Sequence, residues 1–341
     1  VKTLVAMSGG VDSSVAAAML LEAGHEVTGV TMRLWGGEAD SGCCSVADVD
    51  DARRVAQQLG IDHHVFNFGE DFDALVVAPY IADHASGRTP NPCVECNRHL
   101  KFDRLLRRAE TLGFESVATG HHARIAVAAD GTRRVARGAD PAKDQSYVLH
   151  MLGQAELARV RFPVGDLAKD AVRAEAARLG LRTADKPDSQ DVCFITSTGG
   201  RERFLGDRVT LRPARIEDTS GAFVGTAPAV ELVTVGQRKG LGLAGGAEPR
   251  YVVAVDTVGA VVTVGSRADL LTRELVLADL AWSGPAVEGP VSVQCSAHGT
   301  VGRADLAGDV LRWHEPQRRV APGQSVVLYD GDVVLGGGTA R

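Results

Sequence analysis

The chain has 341 residues, more than one hydrophobic core ordinarily organises, so two or three domains are expected. A hydrophobic fraction of 45% with only 5% aromatics suits a folded protein packed by aliphatic side chains, and no segment approaches the ~20 uninterrupted apolar residues of a membrane helix. The net charge of -6 argues against a nucleic-acid partner only until its distribution is read: residues 1–89 carry 5 basic and 13 acidic side chains, 90–215 carry 22 and 16, and the remainder 10 and 14.

A basic middle of this kind can hold a phosphate backbone locally, because screening limits each charge's reach to about 8 to 10 Å. A solvated helix face would give the same count. The first residues open a strand instead of a signal peptide, so a cytoplasmic location is expected. Six cysteines in so long a chain do not make a disulfide scaffold.

In chain order, Lys2 to Met7 reads as a buried strand, Ser8 to Asp12 as a glycine turn, and Ser13 to Ala23 as an alanine-rich helix stopped by Gly24. His25 to Leu34 is a second strand, Val46 to Leu59 a helix, and His63 to Phe68 a third strand. Such alternation implies a parallel sheet with ligands at the carboxyl ends of its strands. Arg88 to Asn97 reads as a proline-containing loop before a basic amphipathic helix, His99 to Leu112. Glu115 to Thr119 is a strand, and Arg124 to Arg137 a hairpin turning at Asp130-Gly131. Helical patterns at Ser146 to Met151 and Lys169 to Leu179 complete a first domain, 1–199. Beyond it, short valine-rich runs at Val252 to Val255, Val261 to Val264, Val291 to Cys295 and Ser325 to Tyr329 predict a β-rich linking domain, 200–266, and a C-terminal β-barrel, 267–341.

The sharpest chemical signal is Ser8-Gly9-Gly10-Val11-Asp12-Ser13-Ser14 at the first strand-to-helix turn. Glycines let backbone N–H groups approach an anion, hydroxyls add donors, and the helix N-terminus supplies positive potential. No lysine precedes the serine pair, so this is not a Walker A loop. Asn91-Pro92-Cys93-Val94-Glu95-Cys96-Asn97 follows, with Cys193 far downstream in Asp188-Ser189-Gln190-Asp191-Val192-Cys193-Phe194-Ile195. A Cys-x-x-Cys pair can be a redox pair, half of a zinc site or part of an iron–sulfur site. Gly120-His121-His122-Ala123, Lys143-Asp144-Gln145-Ser146-Tyr147 and Gly236-Gln237-Arg238-Lys239-Gly240-Leu241-Gly242 are each bland alone, as are Gly323-Gln324-Ser325 and Gly336-Gly337-Gly338. Cys43, Cys44 and Cys295 read as buried or incidental thiols.

The serine-glycine loop resembles that of the ATP pyrophosphatases, which cleave ATP between its α and β phosphates. Taken together and in this order, the strings resemble the tRNA-specific 2-thiouridylase family over nearly the whole chain. The resemblance implies an α/β fold: a parallel-sheet ATP pyrophosphatase domain, a small central β-rich domain and a C-terminal β-barrel, clasping tRNA. It implies ATP-dependent 2-thiolation of the wobble uridine in tRNAs for lysine, glutamate and glutamine.

Carried onto this sequence, Ala6, Met7, Ser8, Gly9, Gly10, Val11, Asp12, Ser13, Met32 and Gly120 would bind ATP with magnesium, although Met32 alone reads as a core residue. Asp12 would help hold the magnesium or orient the reacting phosphate. Cys96 would be the nucleophile and Cys193 the persulfide carrier. Asn91, Pro92 and Cys93 would approach the target base, and His121, Lys143, Asp144, Gln145 and Gln324 would contact tRNA. The implied partners are tRNA and a persulfide sulfur-donor protein, with neither membrane nor DNA.

Two departures stand out. Relatives often have aspartate at the place of Cys93, and they offer arginine or tyrosine near Cys295-Ser296-Ala297-His298. Two other readings remain open: a small-molecule adenylating synthetase, and a binding module in which Cys93, Cys96 and Cys193 hold an iron–sulfur cluster or zinc.

Overall fold

The computed structural model describes residues 1–34, 46–188, 192–195, 200–243 and 248–341. Cys43, Cys44 and the Ser189 to Asp191 part of the second cysteine motif lie outside the described residues. The chain opens with β1 (Lys2–Ala6), α1 (Val11–Glu22), β2 (Glu26–Arg33), α2 (Val46–Leu59) and β3 (His63–Asn67). In β1, Leu4 joins one apolar cluster and Val5 the other, as a period of two requires in a sheet covered on both faces.

Two helical stretches follow, 69–85 and 92–111. The first is absent from the predicted elements because Pro79 lies inside it, and an internal proline argues against a helix. A wider π-helical turn at Asp73–Val77 precedes that proline. The second starts at Pro92, not at His99 as predicted. Asn91 caps it, its side chain accepting from the backbone N–H of Cys93 and Val94, and Pro92 takes a first-turn position where no N–H is needed.

Next come β4 (Ser116–Thr119), the hairpin β5 (Ala123–Val127) and β6 (Arg133–Arg137), β7 (Val160–Arg161) and α3 (Lys169–Arg178). The first sheet is parallel in the order β3-β2-β1-β4-β7. Strand order reverses at β1, so a crevice opens at the carboxyl ends of β1 and β4. The hairpin turns at Asp130-Gly131 as read, with Gly131 at φ +85. Its strands do not join that sheet, however. β6 pairs with the last strand of the chain, Ala136 opposite Val333.

After a helix at Gly200–Gly206, β8 (Ala214–Asp218), β9 (Phe223–Ala227), β10 (Tyr251–Asp256) and β11 (Val261–Gly265) form a sheet ordered β10-β11-β8-β9 around Ile216, Val252, Val262 and Val264. Then β12 (Leu271–Trp282), β13 (Gly289–Gln294), β14 (Gly302–Ala307), β15 (Val310–Arg318), β16 (Ser325–Asp330) and β17 (Val333–Ala340) run antiparallel, and a β12–β17 pairing closes them into a barrel.

The glycine run Gly336 to Gly338 lies in that seam. A side-chain carbon at Gly337 would sit 2.5 Å from Val326 O and 2.7 Å from the His150 ring, so close strand approach explains the run without a ligand. Cys295 falls just past β13 instead of within a strand, and burial pushes its thiol up to about 12. Among the described residues, no helix is long and apolar enough to cross a membrane.

Candidate active site

The Ser8 to Ser13 loop connects β1 to α1. Gly9 takes φ +73, and a side chain there would run into the backbone of Asp48, so glycine is required for the loop to pass α2. Gly10 sits at the N-cap of α1 without a side-chain cap. Ser13 and Ser14 turn their hydroxyls back onto the Gly10 carbonyl at 3.2 and 2.8 Å. The first-turn N–H groups of a helix have no intrahelical acceptor, which suits an anion in front of the loop. Gly120, just after β4, packs against this turn. A Cβ there would lie 2.7 Å from the Asp12 carbonyl carbon, so the residue is glycine for steric reasons of its own.

A cavity of about 590 Å³ opens over these strand ends. It is lined by the loop, by Met32 on β2, by Cys93 and Cys96 on the 92–111 helix, and by Cys193. Every predicted site residue borders it except Gly9, Asn91 and Gln324. Cys96 is buried, while Cys93 and Cys193 are half-buried.

Cys193 lies in a tight turn in which Ile195 N–H donates to Val192 O and Val192 is held at φ +56, a strained backbone for a β-branched residue. The next residue anchors that turn: the Phe194 ring meets those of Phe72, Tyr80 and Phe204 at 5.7, 5.3 and 5.1 Å. A π-helical turn begins at Cys96 and runs to Arg104. Among the described residues, no three His, Cys, Asp or Glu side chains converge as metal ligands.

Charge in the cavity is organised by a group that the sequence did not single out. Lys169, 7% exposed at the start of α3, places Nζ 2.7 Å from both oxygens of Asp12 and 2.9 Å from Asp188 Oδ1. His122 Nε2 lies 2.9 Å from Asp12 Oδ1. Lys143 and Arg173 complete the set, each 2.8 Å from Asp188. Burial would raise the Asp12 carboxyl, but its hydrogen bonds to His122 and Lys169 prevail and hold it below the ordinary carboxylate range. Burial opposes ionisation of Asp188 as well. There the Lys143 and Lys169 contacts win, bringing it down to about 2.

Several residues predicted to meet tRNA also have intramolecular partners. Asp144 accepts from Arg137 at 2.8 Å, from Gly138 N at 3.0 Å and from the Ser146 hydroxyl at 2.9 Å. Gln145 accepts from His122 N at 2.9 Å, and Asn91 Oδ1 accepts from Cys93 N at 3.1 Å in its cap. His121 is bonded to Thr119 Oγ1 and enclosed by Phe102 and Phe162, and burial holds its ring far below the usual histidine range, hence neutral. Gln324 lies 3.5 Å from the Tyr147 hydroxyl, behind the cavity wall. Arg238 and Lys239 are exposed on a turn that Gln237 ties together, away from the cavity. Of the predicted tRNA set, Pro92, Cys93, His121, Lys143, Asp144 and Gln145 border the cavity.

Three family models match in succession: one described as a tRNA methyl transferase HUP domain over residues 1–197, a tRNA methyl transferase PRC-barrel domain over 202–266, and an aminomethyltransferase beta-barrel domain over 273–340. The tRNA-specific 2-thiouridylase MnmA of Roseiflexus sp. is 47% identical over 370 residues, covering 99% of this chain and 98% of its own. That of Mycolicibacterium paratuberculosis is 46% identical over 357 residues, covering 99% and 98%. Among solved structures, a 4-thiouridine synthetase in complex with RNA and ATP aligns with a TM-score of 0.39 at 18% identity, covering 57% of this chain and 44% of that one.

Proposed function

This chain belongs to the tRNA-specific 2-thiouridylase family and is a tRNA sulfurtransferase, and from that premise we propose that it adenylates the wobble uridine of tRNAs for lysine, glutamate and glutamine and installs sulfur from a cysteine persulfide. The observation that carries the mechanism is the shared cavity: the phosphate-type loop and Cys93, Cys96 and Cys193 border one space. Its ~590 Å³ is of the size that encloses a small ligand.

A uridine C2 carbonyl is a poor electrophile because its oxygen leaves badly. ATP seated on the Ser8 to Ser13 loop would transfer AMP to that oxygen as N3 gives up its proton to solvent, with loop N–H groups facing the departing pyrophosphate, and N3 regains a proton when 2-thiouridine is released. Met32, 8% exposed on β2, would flank the adenine. Lys169 supplies the buried cation that the loop itself lacks. Asp12, the carboxylate of that loop, would hold a magnesium ion, and such an ion would supply charge neutralisation for the leaving group.

The terminal sulfur of a Cys193 persulfide then attacks C2, and AMP departs with the former uridine oxygen. The Cys96 thiolate attacks Cys193 Sγ, the bond to the transferred sulfur breaks, and 2-thiouridine is released with a Cys96 to Cys193 disulfide left behind. An external thiol reductant and a persulfide donor protein reset the site. The target base must leave its stack to enter the cavity, so the anticodon loop is splayed on binding.

The test is to incubate the purified protein with ATP, magnesium, a persulfide donor and unmodified glutamate tRNA, and to analyse the digested tRNA by mass spectrometry. ATP-dependent 2-thiouridine is expected. Pyrophosphate released without tRNA, or a methylated product, would overturn the proposal.

A further inference from the structure

Asn97 follows Cys96 directly, borders the cavity and is 2% exposed. Its Nδ2 donates to the Val148 carbonyl at 3.1 Å, while its Oδ1 has no hydrogen-bond partner. The orientation of this amide is not arbitrary. A backbone carbonyl only accepts, so the end that meets Val148 must be nitrogen, and the other end must be oxygen. A desolvated acceptor without a partner is rare in folded proteins and calls for a donor from elsewhere. The other orphaned polar atom on the cavity wall, His122 Nδ1, belongs to a ring already tied to Asp12 on the phosphate side. Asn97 is on the cysteine side.

We propose that Asn97 is a specificity-determining residue whose Oδ1 accepts the N3–H of the target uracil. The inference rests on the uridine-thiolation reading. Uracil carries one imino donor on its Watson–Crick edge, N3–H, between two carbonyl acceptors. Cytosine has a lone pair at N3 instead, which an amide oxygen repels. The reacting carbon, C2, is bonded to N3, so an anchor on N3–H holds the base with its C2 oxygen in place up to adenylation, the step at which N3 loses its proton and this contact with it. Because Asn97 adjoins Cys96 on the same helical turn, reading the base and presenting the thiol are done by one rigid element. The bond to Val148 locks the amide so that a purely donating edge cannot be offered to the base. A site built around a substrate N–H rejects the analogue that lacks it, because the buried acceptor is then left unpaired.

The experiment uses the full-length protein with two glutamate tRNAs, one carrying the wobble uridine and one with cytidine in its place. Dissociation constants are measured without ATP, and kcat/KM for thiolation is measured on the uridine tRNA. Wild type should favour the uridine tRNA by about 10-fold, and Asn97→Ala should bring that ratio towards one while kcat/KM falls by about 10- to 100-fold. The KM for ATP and the loading of persulfide on Cys193 should not change.

Asn97→Gln keeps both amide groups but displaces them, and it serves where the alanine variant does not fold; the same loss of ratio is expected. A variant that loses activity while keeping the wild-type ratio reduces Asn97 to a structural tie and overturns the inference. Wild type that makes no 2-thiouridine overturns the thiolation reading beneath it, so the two failures are told apart.

Discussion

Lys169 Nζ lies 2.7 Å from each carboxylate oxygen of Asp12, although the two residues are 157 positions apart in the chain. Asp12 belongs to the phosphate-type loop and Lys169 to a distant helix. Lys169→Met keeps most of the side chain's length and removes its charge. A charge-assisted hydrogen bond to phosphate is worth roughly 1.5 to 3 kcal/mol, so the KM for ATP should rise about 10- to 100-fold in a pyrophosphate-release assay. An unchanged KM would assign the lysine to the fold alone.

Cys193→Ser should abolish thiolation while leaving tRNA affinity within about twofold of wild type, since the substituted atom is one sulfur in a large polar interface. Gel-shift binding and mass spectrometry of the digested tRNA read the two quantities separately. Retained thiolation would remove Cys193 as the sulfur carrier.

Asp188 carries the clearest pH signature. Its native pKa is depressed from 3.8 to about 2, so its ionised form stabilises the fold fully above 3.8, and that contribution is lost as pH falls towards about 2. The melting temperature of Asp188→Asn should therefore lie below wild type at neutral pH, and the gap should close between pH 4 and pH 2. A gap independent of pH would mean that the carboxylate's charge is not what its partners Lys143, Lys169 and Arg173 recognise.

Gly120→Ala tests the contact between the strand end and the phosphate loop. The added carbon would stand 2.5 Å from Ser13 N and 2.7 Å from the Asp12 carbonyl carbon, so the first turn of α1 must shift. A displaced loop should weaken ATP binding by about 10-fold or more and leave far-UV circular dichroism intact. ATP binding at wild-type strength, measured by calorimetry, would show that the turn absorbs the carbon elsewhere.

Arg137 links the hairpin to its surroundings: it donates to Asp144 and to Gln294, both at 2.8 Å, and stacks on the Tyr329 ring at 4.0 Å. Arg137→Met strands the nearly buried Asp144 carboxylate. Because Arg137 itself keeps some solvent contact, the cost should be roughly 2 to 3 kcal/mol, below the ~3 to 5 of a fully buried pair. Denaturant unfolding measures it, and a loss under ~0.5 kcal/mol would refute the role.

The first sheet, the phosphate-type loop, the Asp130-Gly131 turn and most barrel strands were legible because each is written locally, as period-two apolar runs or as glycines at fixed turns. The Lys169–Asp12–Asp188 group was not, because a salt bridge between distant segments leaves no periodic trace. His122 was hidden behind the more suggestive His121, which is buried among aromatic rings. The scaffold roles of Asn91, Asp144 and Gln145 were hidden for a related reason. Short polar side chains near a ligand motif look available, yet these three satisfy backbone donors of the motif's own scaffold. Asn97 passed unnoticed beside its cysteine because an unpaired acceptor is visible only once every other partner has been placed.

The hairpin contributed by residues 123–137 attaches to the last strand of a barrel whose own strands begin at residue 271. Arg134 reaches Leu335 across 201 positions, and Tyr147, on the cavity wall, bonds the Ser325 carbonyl across 178. During synthesis, then, the hairpin waits with an unpaired edge until β17 is available to it. A truncated product would carry the phosphate-type loop and all three cavity cysteines but lack the barrel contact that backs Tyr147 on the cavity wall.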